Sequence, residues 1–286
     1  MTDLPKNIFT YWHQGFDQAP RLVRMCIKRL AYLHPDWDVH LLDKDNLEDL
    51  IPPFPMPAHN RQGISLAAWS DLVRTQLLLK YGGVWMDPTV FCNQALDRWL
   101  PEVMDAGIFL FVKPGRDRLV SSWFIAAEPE NALLEEVERL MRVYWSGKRF
   151  RNLGRSYSWF ESQLFRIINR NPSWPRVWFT SIFTRWFPVQ PYFFYHYGYS
   201  QAIAQSSSGR RIFQQMPKHS ADGPHALLRI GLLNTVNSVS QKLMLEPTAP
   251  VFKLNWKGVP EDFPEDSVVQ FLEQIARGAD RLSSEL

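Results

Sequence analysis

The spacing of hydrophobic and polar positions changes along the chain, and each change marks an element. Asn7-Ile8-Phe9-Thr10-Tyr11-Trp12 is rich in β-branched and aromatic residues and predicts a strand that stops at the His13-Gln14-Gly15 turn. Pro20 suits the first position of a helix. Leu22, Val23, Cys26, Ile27 and Leu30 then recur at three- and four-residue spacing, which predicts an amphipathic helix closing before Pro35. Trp37-Asp38-Val39-His40-Leu41-Leu42 predicts a second strand. Strand, helix and strand at these lengths form a βαβ unit, so the sheet should be parallel with a right-handed crossover.

The four prolines between Ile51 and Pro57 predict a loop, and Ile64 to Lys80, free of Gly and Pro, predicts a helix. Tyr81-Gly82-Gly83 ends that helix, with glycine supplying the positive-φ cap. Val84-Trp85-Met86 follows as a short apolar strand stopped by Asp87-Pro88. Further strands are predicted at Ile108–Val112 and Ser122–Ala127, and a helix at Asn131–Tyr144. Beyond Tyr144 the period weakens into short helices and proline breaks. Gln201–Gln205 and His225–Gly231 read as helical, and Val251–Trp256 as a last strand. Val268–Arg277 is the closing helix, with Ser267 as N-cap and Gly278 just past its end.

Composition narrows the class. A length of 286 residues fits one large α/β domain, or one domain with an added lobe, and hydrophobic residues at 45% with charged residues at 21% predict a packed core rather than global disorder. A net charge of +3 without a basic nucleic-acid motif argues against nucleic acid. Cys26 and Cys92 lack metal or disulfide spacing and should be buried, reduced thiols. Met1-Thr2-Asp3-Leu4-Pro5 has neither a basic n-region nor an apolar h-region, and no run of about 18 apolar residues occurs. A cytoplasmic protein is expected.

Chemistry concentrates between Ser70 and Val90. Asp71 and Arg74 share one helix face. Asp87 follows at the C-terminal end of a strand, where parallel sheets bind ligands. Two carboxylates suit ribose and sugar hydroxyls, and a guanidinium suits phosphate oxygens. A surface ion pair and an ordinary strand-end Asp explain the spacing equally well.

Ser70-Asp71-Leu72-Val73-Arg74, Leu78 and Tyr81-Gly82-Gly83-Val84-Trp85-Met86-Asp87 together resemble the donor-site signature of capsular polysaccharide synthesis glycosyltransferases, which look related to glycosyltransferase family 32 and the clostridial glucosylating toxins. Three more blocks occur in the family's order: Tyr11-Trp12-His13-Gln14-Gly15, Ser220-Ala221-Asp222-Gly223-Pro224-His225 and Phe252-Lys253-Leu254-Asn255-Trp256-Lys257. The resemblance implies a GT-A fold, a Rossmann-like, mostly parallel sheet flanked by helices. It also implies a nucleoside-diphosphate-sugar donor, with UDP as the nucleotide, and retention of configuration. Trp12 would stack near the base beside Gln14, with Asp71, Gly83 and Lys257 also on the donor side. Asp87, Arg74, Asp222, His225 and Lys253 would form the catalytic set.

The chain departs from the family at the metal. Relatives with Asp-x-Asp ligate Mn²⁺ or Mg²⁺, whereas this chain has Asp87-Pro88-Thr89, and Phe252 where many relatives place His. Thr89 is a weak ligand for a hard cation. Either Asp87 alone holds a metal, or Lys253, Lys257 and Arg74 neutralise the leaving diphosphate. Asp222-Gly223 also reads as simple turn chemistry, and His225 as a polar helix start.

Residues 144–200 form an aromatic-rich, basic helical insertion. From Arg142 to Arg185 there are nine Lys or Arg and one acid, Glu161. Trp145, Trp159, Trp174, Trp178 and Trp186 alternate with Arg149, Arg151, Arg155, Arg166, Arg170, Arg176 and Arg185, a mix suited to an anionic membrane interface. It suits a polyprenyl-linked or other glycan acceptor at the inner face of the cytoplasmic membrane; an aromatic core with a solvated basic face is the alternative. Two other functions remain open: a sugar-nucleotide-binding protein without turnover, and a membrane-docking scaffold.

Overall fold

The structure is a computed structural model that describes residues 4–146, 150, 156–180, 182–183, 186, 189–246 and 249–283. In chain order it contains β1 (Asn7–Tyr11), α1 (Arg21–Leu33), β2 (Asp38–Leu42), α2 (Leu47–Leu50), α3 (Ala58–Gly63), α4 (Leu66–Tyr81), β3 (Gly83–Met86), β4 (Val90–Cys92), β5 (Ile108–Gly115), β6 (Arg118–Ala127), α5 (Ala132–Ser146) and α6 (Trp159–Ile168). These are followed by α7 (Phe194–Gln205), α8 (Ser207–Gln215), α9 (Ala226–Ile230), α10 (Ser238–Leu245), β7 (Val251–Lys253) and α11 (Val268–Ser283).

The central sheet has the order β2-β1-β3-β6-β5. β1 pairs in parallel with β2 and β3, while β6 runs antiparallel to both β3 and β5. Four strands therefore point one way and β6 opposes them. This is the helix-flanked, mostly parallel α/β arrangement expected, including the parallel β1–α1–β2 unit.

Strand alternation explains the two cores. Phe9, Trp85, Ile125 and Leu110 face α4 and α5. Ile8, Val84, Met86, Phe124 and Phe109 face the opposite side, toward Leu30 and Trp99. Both faces are covered, so the strands read as continuous apolar runs. A third core joins α1, β4, β7 and α11 through Cys26, Phe91, Phe252 and Leu272. Cys26 and Cys92 are free and buried.

The α4–β3 junction depends on its two glycines. Ser65 caps α4 by accepting from the Ala68 amide, and Gly82 ends it at φ 63°. Gly83 sits at φ 103°, where a Cβ would lie 2.4 Å from the Asn7 carbonyl oxygen. Only a residue without Cβ lets β3 approach β1 this closely. Gly83→Ala is expected to destabilise the protein by about 2 kcal/mol, read by urea unfolding. An unchanged midpoint would show that this junction relaxes freely.

Three expectations change. Val251–Trp256 contributes only the three-residue β7, which leaves the main sheet and pairs antiparallel with β4. Both strands are too short for periodicity to register. The helix expected from Gln201 begins at Phe194, and Phe194, Tyr195, Tyr197 and Tyr199 are fully buried. A helix covered all round shows no amphipathic stripe. The end of the 144–200 insertion is thus core, packed on β6 and α5. Finally, α11 runs through Gly278 to Ser283, since one glycine inside a helix costs only about 1 kcal/mol. Arg149, Arg151, Arg155 and Arg185 lie outside the described residues.

Candidate functional site

Parallel neighbours end at the same edge of a sheet, so Trp12 after β1 and Asp87 after β3 emerge together. The reversed β6 begins at that edge, and the Asp87 amide donates to the Trp123 carbonyl at 2.8 Å. Helix α4 presents Asp71 and Arg74 to the same place.

Arg74 is the centre of the cluster and is 3% exposed. Its Nη1 lies 3.3 Å from Asp71 Oδ1, and its Nη2 lies 3.3 Å from Asp87 Oδ1. Nε donates to the Ser70 carbonyl at 3.1 Å, Nη2 to Ser70 Oγ at 2.8 Å, and Nη1 to the Ser122 carbonyl. Five protein acceptors thus surround a group with five N–H donors. The guanidinium also lies 4.7 Å from the Trp85 ring centre. Three of these contacts, to Ser70 and Ser122, are hydrogen bonds that fix the guanidinium, and the two to Asp71 and Asp87 are ion pairs through which Arg74 positions the carboxylates.

The carboxylates differ in environment. Burial pushes Asp71 up to about 7; Arg74 opposes this and Asp87 adds to it. Burial also pushes Asp87 up, but Lys253 and Arg74 outweigh it and hold the group down at about 2. Trp85 Nε1 donates to Asp87 Oδ1 at 3.1 Å. Lys253 Nζ donates to Asp87 Oδ2 at 3.0 Å and to Thr89 Oγ1 at 2.5 Å.

The β4–β7 ribbon delivers Lys253. Val90 is in register with Lys253, the Leu254 amide donates to the Thr89 carbonyl, and the Lys253 amide donates to the Pro224 carbonyl. Pro88 follows Asp87 in a turn closed by the Val90 amide on the Asp87 carbonyl. The third sequence block is thereby joined to both the donor motif and the second block.

The second block docks on the edge of β5 through a bridge between Val112 and Ser220. It brings His225 to 5.6 Å from the Trp123 ring. Burial, then Lys253 and Arg229, lower His225 to about 4, so its imidazole is neutral at pH 7. Asp222 is turned elsewhere: its carboxylate accepts from Ser220 Oγ at 2.9 Å and Arg229 Nη1 at 3.1 Å and is exposed. The first and third blocks meet at Trp12 and Trp256, whose rings stand edge to face at 5.7 Å. Gln14 and Lys257 are exposed. Gly83 stands at the far end of β3 from Asp87, about four residues or roughly 13 Å away, where its task is backbone packing.

The structure thus brings Asp71, Arg74, Asp87, Lys253 and His225 together. It adds Trp85, Trp123 and Tyr195 from outside the expected set. Tyr195 bonds Thr75 Oγ1 at 2.6 Å and lies 5.9 Å from the Arg74 guanidinium. His196 beside it is buried with Nδ1 unbonded, and burial lowers it to about 3. Strand alternation from Asp87 was the available signal for Trp85; nothing local marks Tyr195 or His196.

The model of a family described as "Capsular polysaccharide synthesis protein" matches residues 2–178. The chain is 32% identical over 162 residues to O-glycosyltransferase braB of Annulohypoxylon truncatum, covering 50% of this chain and 38% of that protein. It is 28% identical over 146 residues to O-glycosyltransferase PaGT of Phomopsis amygdali, covering 43% of this chain and 35% of that protein. The matched region spans well under half the length of these relatives. A solved structure titled PaToxG Glycosyltransferase is similar at 14% identity and a TM-score of 0.38, covering 87% of this chain and 88% of that one.

Proposed function

The chain belongs to the capsular polysaccharide synthesis protein family, and we propose that it is a glycosyltransferase of the hexosyl type using a nucleoside-diphosphate sugar, with UDP as the nucleotide. The observation that carries this reading is Arg74 clamped between Asp71 and Asp87 at the C-terminal end of β3. Asp71 and Asp87 hold ribose and donor-sugar hydroxyls, Lys253 faces the diphosphate, and Trp12 with Gln14 flanks the base. The names of the fungal relatives suggest a hydroxyl oxygen as acceptor. Transfer proceeds with retention, to a glycan or polyprenyl-linked acceptor in bacterial capsule or O-antigen assembly.

A thermal-shift screen of nucleotide-sugars tests the donor. The true donor at 100 times its Kd should add about 2.7 kcal/mol of stability. If no nucleotide-sugar raises Tm, the donor-site reading is lost. Binding with neither transfer nor hydrolysis would instead support a sugar-nucleotide-binding protein without turnover.

In this reading the acceptor lies at a membrane surface, and the exposed aromatic residues support it. Trp159 and Trp186 are 77% and 73% exposed, and Phe160, Ile167, Trp174 and Ile182 are also exposed in the same segment. Arg166 and Arg170 are exposed among them. Among the described residues no helix is long and apolar enough to cross a membrane. Peripheral attachment at an anionic inner leaflet fits Trp and Arg together. In flotation, vesicles containing anionic lipid should carry the protein at low salt, and Trp159→Ser with Trp174→Ser should leave it in the pellet fraction. Equal flotation of this variant would assign the exposed aromatics another task.

A further inference from the structure

Hard divalent cations take about six or more oxygen ligands, with carboxylates supplying most of the protein's share. The residues at the end of β3 do not offer this. Asp87 is one carboxylate, the next motif position is Thr89, and the β7 residue beside Lys253 is Phe252, fully buried in the third core. Among the described residues no group of three His, Cys, Asp or Glu is placed to hold a metal. The space between the two motif side chains is instead taken by a cation of the chain's own. Lys253 Nζ stands 3.0 Å from Asp87 Oδ2 and 2.5 Å from Thr89 Oγ1. A divalent ion on those oxygens would lie against the ammonium, and two cations at such a distance repel strongly in a half-buried site.

We infer that the Lys253 ammonium replaces the divalent cation at the donor's diphosphate, so that this protein binds and turns over its donor without a metal. The inference rests on the donor-site reading above. The ammonium is a built feature: β7 carries it, the Val90–Lys253 register sets its height, and backbone bonds to Pro224 and from Leu254 to Thr89 lock the ribbon on both sides. Its side chain is 19% exposed, so one face remains open toward a ligand while the other is bonded to the motif.

The chemistry then balances without a metal. The bond between the anomeric carbon and the diphosphate oxygen breaks, and its electron pair leaves on the diphosphate. The acceptor oxygen bonds to that carbon, and the acceptor's proton passes to the departing diphosphate oxygen. Lys253 meets the negative charge as it develops, which is the service a metal otherwise performs. Arg74, matched to five protein oxygens, keeps Asp87 in place for Lys253. Thr89 fits this arrangement where Asp would not, because its hydroxyl accepts from the ammonium without adding a second charge to attract a metal.

The test uses the whole protein with UDP, GDP and dTDP as calorimetric probes, once in EDTA and once in Mn²⁺, and electron paramagnetic resonance to count bound Mn²⁺. One diphosphate should bind in EDTA within about threefold of its affinity in Mn²⁺, with no Mn²⁺ retained. Lys253→Gln should weaken that binding at least about tenfold, the loss of one charge-assisted hydrogen bond. Lys253→Arg should restore most of it. The double variant Thr89→Asp with Lys253→Ala should acquire Mn²⁺ binding, which supplies a readout if the single variant folds poorly. Binding or sugar-nucleotide hydrolysis that occurs only with Mn²⁺ overturns the inference while leaving the donor site intact. No binding of any diphosphate in either buffer overturns the donor-site reading, and the inference with it.

Discussion

Asp87→Ala should abolish transfer, lowering turnover by about two to three orders of magnitude, and should also weaken the fold. The two effects have one origin. Asp87 is the shared partner of Arg74 and Lys253. Without it, a guanidinium only 4% exposed by side chain and a half-buried ammonium lose their common counter-charge. Breaking a buried pair on one side costs about 3 kcal/mol, a fall in Tm on the order of 8 °C for a chain of this size. Asp87→Asn separates the terms. Its amide oxygen can still accept from Trp85, so it should keep more of the stability while losing the turnover. Measuring kcat and Tm for both variants is decisive. Turnover within a few-fold of the parent in Asp87→Ala would remove Asp87 from the catalytic set.

The second large effect is a stability that depends on pH through Asp71. Burial holds its carboxyl at about 7, against about 4 in an unfolded chain. Between those values the folded protein binds the proton and the unfolded one does not, so stability falls as pH rises. The contribution is complete below about pH 4 and gone above about pH 7. Three units correspond to about 4 kcal/mol. Two buried histidines work in the opposite direction. His225 and His196 are lowered to about 4 and about 3, so each adds stability that is present above its ordinary range and lost on acidification. Asp87, held at about 2, likewise loses its contribution only as pH falls toward 2. The comparison with Asp71→Asn cancels these shared terms. Urea unfolding of both proteins from pH 4 to pH 8 should show the parent losing stability relative to the variant as pH rises. Parallel curves would mean that Asp71 is ionised throughout, fully compensated by Arg74.

Legibility differed from residue to residue for physical reasons. The β1–α1–β2 unit was readable because each element carries its own period and a boundary residue, Pro20 or Pro35. The helix bearing Asp71 and Arg74 was readable for the same reason, and Gly82 announced its end. The pairing of β4 with β7 was not, because three apolar residues in each carry no period. The helix from Phe194 was hidden by its complete burial. The site followed the same division. Asp71 and Arg74 declared a shared face, and Asp87 a strand end. Trp85, Tyr195 and the Ser122 carbonyl joined only through packing across the sheet.

The amino-acid sequence alone therefore determined the α/β order of elements, the glycine junction at Gly82-Gly83 and the set of side chains bearing chemistry. Those follow from local backbone preference and from period, which act over a few residues. Tertiary structure decided which of them meet. It matched Arg74 to five oxygens and turned Asp222 toward Arg229. It set Lys253 between Asp87 and Thr89, across 166 and 164 residues of chain. Such contacts depend on strand register and on the closing of long loops, and no local preference encodes either.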